Sequence, residues 1–377
     1  MKLEILDSGI IYKNINPGFK AESAYLPNLV AISENEILCF MRIGSAFFST
    51  DGKIWQFRSL DSGKTWVQEK IIVFDGSDID YHYSSPHCTL TSNGELVLLV
   101  HREKNPTEVA ETYMVDQKQK IIFTSTDKGH NWKGYQIDIP AGEHYIDTPS
   151  NIIELNNGSW FLACEEWENM NNDLPIHIKG FGLLSKDRGK TWESVGYFPS
   201  SFDNEKMFSH SRYTKMIDGR IAVLQWAQKI GGQNDLDAHI TISDIDAKEW
   251  ILPKATGIPA QTSWLADMGN GVFVALYTHR TGFTPGIKVL ISTDFGDTWD
   301  NEDPLTVWDS VGQEFLGVNN IPDYPKSHDN IAFGKPNLIR TGKKDLIASW
   351  WCTQACITHA RYARCLLYTS PSPRDRG

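Results

Sequence analysis

One short phrase recurs through this chain, at Ser59, Asp61, Gly63, Thr65 and Trp66 and again at Ser125, Asp127, Gly129, Asn131 and Trp132. It returns at Ser185, Asp187, Gly189, Thr191 and Trp192 and at Ser292, Asp294, Gly296, Thr298 and Trp299, while an eroded copy keeps only Ser243 and Trp250. Ser and Asp oxygens accept backbone N–H bonds across a tight turn, Gly supplies a positive φ, and Trp opens the next strand with a ring to bury. Each copy reads as a hairpin tip, and its Asp as a turn staple rather than a catalyst. Repeats spaced by roughly 50 to 70 residues restrict the chain to a solenoid, an array or a propeller.

A second repeat runs out of phase with the first. A short strand, a turn and an apolar strand recur from Tyr25 to Arg42, Ser85 to Arg102, Thr148 to Glu166, His210 to Trp226, Thr262 to Arg280 and Lys335 to Trp351, which makes six units. Alternating apolar residues in the strands that follow fit period-two patterning, and there is no amphipathic helix longer than a turn or two. Four antiparallel strands repeated six times predict an all-β, six-bladed β-propeller. The sixth unit supplies only three strands, so Leu3 to Tyr12 is predicted to complete it and close the ring, which removes open sheet edges.

With 377 residues, 41% hydrophobic and 11% aromatic, the chain can bury a large single core, expected over residues 1–364. Residues 365–377 match a translated sequencing adapter and are expected to be a non-native tail. A net charge of −11 argues against nucleic acid or an anionic membrane as partner. The N-terminus lacks an apolar signal core and no run reaches membrane-spanning length. Setting Cys365 aside leaves an odd number of cysteines with no metal-ligand spacing, so reduced thiols, a cytoplasmic location and no cofactor or metal are expected.

The Ser-x-Asp-x-Gly-x-Thr-Trp boxes and the six-unit layout resemble the sialidase superfamily of Asp-box propellers over residues 1–364. That resemblance implies an Arg two residues before the first inner-strand proline and a nucleophilic Tyr at the start of the last inner strand. Here those places hold Tyr25 and the run Phe333, Gly334, Lys335. The chain therefore reads as a divergent member without the usual sialidase set, and the boxes themselves say little about chemistry.

Function belongs to the mouth of the ring, where inner-strand starts from several blades converge. His82, Tyr145, Glu165 and His210 are the candidate catalytic groups. Tyr25, Arg42, His101, Arg102, Asp147, Arg212, Trp264 and Lys335 are the candidate substrate-binding groups. Aromatic faces combined with Arg, Lys and His suit an anionic or heavily hydroxylated oligosaccharide or polysaccharide. The preferred reading is a glycoside hydrolase cutting next to an acidic or deoxy sugar. Two carboxyl groups would come from among Glu165, Glu166 and Asp147, with one of the adjacent glutamates solvated because neighbours alternate faces. A polysaccharide lyase is the alternative, since His82, His101 and Tyr145 are similar in order and spacing to the His, His and Tyr of propeller-fold uronate lyases. A sugar-binding propeller without catalysis is the third.

Overall fold

The computed structural model describes residues 1–74, 78–105, 119–140, 144–170, 173–232, 234–280, 284–310 and 331–368. Six antiparallel sheets are arranged in a ring, as the repeat predicts. Their innermost strands are Ser23–Ala31, Tyr81–Leu90, Tyr145–Asp147 with Ile153–Glu154, Lys206–Lys215, Ser263–Gly269 and Phe333–Arg340, in blades 1 to 6. Strand Lys2–Tyr12 pairs with the last strand, Ile357–Tyr368, as the outer edge of blade 6, so the two ends of the chain close the circle. That last strand runs through Cys365 to Tyr368, past the boundary expected at 364. Cys365 pairs with Ile5 and Leu367 with Leu3, and both lie in the apolar core. Residues 369–377 of the expected tail lie outside the described residues. Among the described residues no helix is long and apolar enough to cross a membrane.

The boxes act as staples. Ser59 Oγ accepts the Gly63 N–H at 2.8 Å and donates to Asp61, whose carboxylate accepts the Thr65 N–H at 2.9 Å. Trp66 Nε1 donates to the Gly63 carbonyl at 3.0 Å. The copies at Ser185 and Ser292 repeat the set, and these hydrogen bonds hold Asp61, Asp187 and Asp294 at about 2. In the second copy Asn131 replaces Thr, and Trp132 donates to Gln56 of the preceding blade instead.

Each box also seats a glycine against the blade before it. A Cβ on Gly296, at φ +84°, would fall inside van der Waals contact of Ile240 Cδ1, whereas one on Gly94, at φ +82°, meets nothing. Gly94→Ala should therefore cost only the left-handed strain, about 1–2 kcal/mol. Gly296→Ala should cost about 1–3 kcal/mol more by overpacking, read from urea midpoints.

Near the axis the inner strands carry a shared irregularity. In blades 1, 2, 4 and 6 the ladder slips by one residue, and the bulged residue adopts a left-handed backbone: Leu26 at φ +59°, Ser85 at +49°, His210 at +48° and Lys335 at +46°. Pro follows three of them and has no N–H to lose from the ladder. Just beyond the bulges, side chains stitch blade to blade. Asn28 Oδ1 accepts Cys88 N–H, Asn337 Oδ1 accepts Leu29 N–H, and Ser150 Oγ accepts Tyr213 N–H.

Candidate active site

All four bulged residues line one cavity of about 400 Å³ at the mouth of the ring. Non-glycine residues in this conformation each cost about 1–3 kcal/mol and persist where surrounding structure imposes them. One source of that imposition is visible in blade 4: the Glu165 carboxylate accepts the His210 N–H at 3.1 Å and the Ser211 N–H at 2.9 Å.

One wall is aromatic. Tyr25 packs edge-on against Phe47 at 4.9 Å and against Trp351 at 5.2 Å, giving apolar faces on which a sugar ring can lie. The facing side is polar and comes from blades 2 and 3. His82 Nδ1 lies 2.9 Å from Asn105 Oδ1, and its Nε2 lies 3.7 Å from Glu103, whose other oxygen accepts from Ser84. Tyr145 sits against Asp147, with Glu103 and Glu165 as further negative neighbours; burial first, then these charges, push its phenol well above 10. It is therefore a neutral donor.

Beneath them lies Glu165, 1% exposed, raised to about 7 by burial and then by the Asp147 charge, against the lowering effect of its N–H bonds and of Arg212. Asp147, Glu165 and His210 bring one ligand atom each within 4.8 Å of one another, which a divalent cation could use. Both oxygens of Glu165 already accept backbone N–H groups, and the Arg212 guanidinium supplies positive charge beside both carboxylates.

Eight of the residues singled out from sequence line this cavity: Tyr25, Arg42, His82, Tyr145, Asp147, His210, Arg212 and Lys335. The other four do not. Glu165 lies under the floor. His101 is 1% exposed, with Nε2 2.6 Å from Thr148 Oγ1 and Nδ1 3.6 Å from Asp147. Arg102 points to the opposite face of its strand, ion-paired with Asp78 and stacked 3.4 Å over Tyr81. Trp264 is buried deeper in the channel beside Arg212. Arg42 reaches the cavity wall, but its guanidinium donates to the carbonyls of Ala46 and Ser49 and so shapes the 45–51 loop. Glu166 was a candidate for the solvated neighbour; it is 7% exposed and accepts the Tyr197 hydroxyl at 2.5 Å. Sequence reasoning missed Phe47, Phe48, Glu103 and Trp351.

The family model for the BNR repeat-like domain matches residues 35–328. This chain belongs to that family. It is a sialidase-superfamily propeller that has Tyr25 where the resemblance implies an Arg, and Phe333, Gly334 and Lys335 where it implies a Tyr. No curated protein matches it. A protein of unknown function from Dyadobacter fermentans superposes with a TM-score of 0.73 at 15% identity, covering 97% of this chain and 99% of that one. The Penicillium chrysogenum α-L-arabinanase complexed with arabinobiose gives 0.63 at 13%, covering 96% and 98%. The Hadza microbial sialidase Hz136 gives 0.64 at 14%, covering 92% and 66%. Identities this low establish a shared fold.

Proposed function

We propose that this BNR-repeat propeller is a glycoside hydrolase that cleaves the bond next to an anionic sugar. One observation carries the reading: two carboxylates from neighbouring blades, Glu103 and Asp147, line one cavity with Tyr145, whose phenol both charges affect. Hydrolysis needs one carboxyl group to protonate the leaving oxygen and a second to attack or to activate water. Asp147 takes the second role, because Tyr145 and Arg212 both favour negative charge on it. Glu103, with His82 alongside, takes the first. Tyr25, Phe47 and Trp351 stack on the sugar, and Lys335 receives its anionic group, with the charge of the buried Arg212 behind it. The arabinanase and sialidase folds accord with carbohydrate as the ligand.

Elimination at a uronate is the second reading, favoured by one feature. His82 and Tyr145 share the cavity with Lys335, which could neutralise a uronate carboxylate, and the buried Arg212 adds positive charge from behind. A panel of acidic and neutral oligosaccharides separates the readings. New reducing ends without ultraviolet absorbance support hydrolysis, whereas absorbance from an unsaturated uronate selects elimination. Binding without any cleavage would overturn both. On the acidic substrate that is cut, Lys335→Met should raise KM about tenfold with kcat little changed, because one charge-assisted contact is lost from substrate and transition state alike.

A further inference from the structure

Below the mouth cavity, inner-strand residues of five blades line a second, small cavity of about 10 Å³, about the size that holds one small ligand. Among the described residues, three of its side chains carry buried nitrogens with no hydrogen-bond partner. These are His87 Nδ1 and Nε2, Arg212 Nη1 and Nη2, and Asn337 Nδ2. The three residues are 2%, 1% and 2% exposed. An unpaired buried polar group costs about 1–3 kcal/mol, and more when charged, so a set of them on one small space is what a bound group would relieve.

We propose that this small cavity binds a single monatomic anion of the halide class. The chemistry of its lining selects the sign. Arg212 and Lys335 are cationic, no carboxylate among the described residues lines the cavity, and Asn337 contributes only its N–H side because its Oδ1 already takes the Leu29 N–H at 2.8 Å. Asn28 Oδ1 is likewise committed to Cys88. One imidazole nitrogen of His87 is then the single acceptor left among the side chains named. A metal cation needs several electron-pair donors, whereas an anion takes N–H donors, and Arg212 and Lys335 add positive charge to those present here. Burial, then the charges of Lys335 and Arg212, hold His87 neutral, so it keeps one N–H to donate. So small a cavity favours a monatomic ion over sulfate or phosphate. Because Arg212 and Lys335 also line the mouth cavity, the anion would sit directly behind the groups that face a substrate there.

The test is a bromide derivative of the full chain together with thermal midpoints at matched ionic strength. An anomalous peak within hydrogen-bond reach of Arg212, Asn337 and His87 is expected. So is a midpoint that rises saturably with chloride or bromide but not with sulfate. His87→Phe, which fills the chamber, should remove both the peak and the saturable rise; if that variant does not fold, His87→Leu serves, and the parent chain alone still decides between halide and sulfate. Bromide found only on the surface, an adventitious ion only, would overturn the proposal. An equal response to sulfate, or a peak that survives the variant, would overturn it as well.

Discussion

Turnover by an Asp147→Asn variant is expected to fall by about 100- to 10,000-fold, the usual contribution of a group that exchanges protons with the substrate, while its thermal midpoint stays close to the parent's. Asn is nearly isosteric and can still accept from the Tyr145 hydroxyl, so the change removes charge and basicity rather than shape. Glu103→Gln should lose a comparable factor, since each carboxyl group serves a different half of the same reaction. The two losses should not add in the double variant, because neither residue completes turnover alone. The measurement is kcat/KM on the best substrate of the panel, with the urea midpoint recorded alongside. Full activity in Asp147→Asn would take that residue out of the chemistry and leave the cavity as a binding site.

The fold was legible because its signals are local and repeated. A Ser, an Asp and a Gly in fixed spacing can satisfy one turn's donors in one way, and the contacts of Ser59, Asp61 and Gly63 are those the spacing requires. Ring closure was legible from a missing fourth strand in the last unit. The cavity was legible only in outline, because which face a strand residue takes depends on a parity that one bulge reverses. Glu103 and His101 lie on one face of their strand and Arg102 on the other, so a basic residue chosen for its charge points away from the cavity. Trp351 faces the cavity while its neighbour Trp350 is buried, beside a strand that slips between Gly334 and Asn337. Phe47 and Phe48 stand in a loop without periodicity, placed by Arg42 bonds to the carbonyls of Ala46 and Ser49. The glutamate at 165 was recognised as important, yet its depth was not readable. Only the slipped backbone at His210 shows that its oxygens are already committed.

That commitment makes Glu165 the source of a pH effect on stability. Its carboxyl group sits at about 7 in the folded chain against 4.5 ordinarily, so between those values the folded state holds a proton that the unfolded state has released. Stability therefore falls with rising pH across this window, by linkage; the contribution is complete below 4.5 and is lost as pH climbs through about 7. Glu165→Gln carries no titrating group and should remove this slope. Asp147→Asn should flatten it in part, because the Asp147 charge is the second cause of the shift after burial. Glu165→Ala is a harsher change. It leaves two backbone N–H groups without their acceptor and removes one of the two carboxylates beside the buried Arg212, a loss of about 3–5 kcal/mol by comparison with other broken buried pairs. Urea midpoints of the parent and the three variants, taken across the window, test the assignment. A Glu165→Gln curve parallel to the parent's would place the slope on another group.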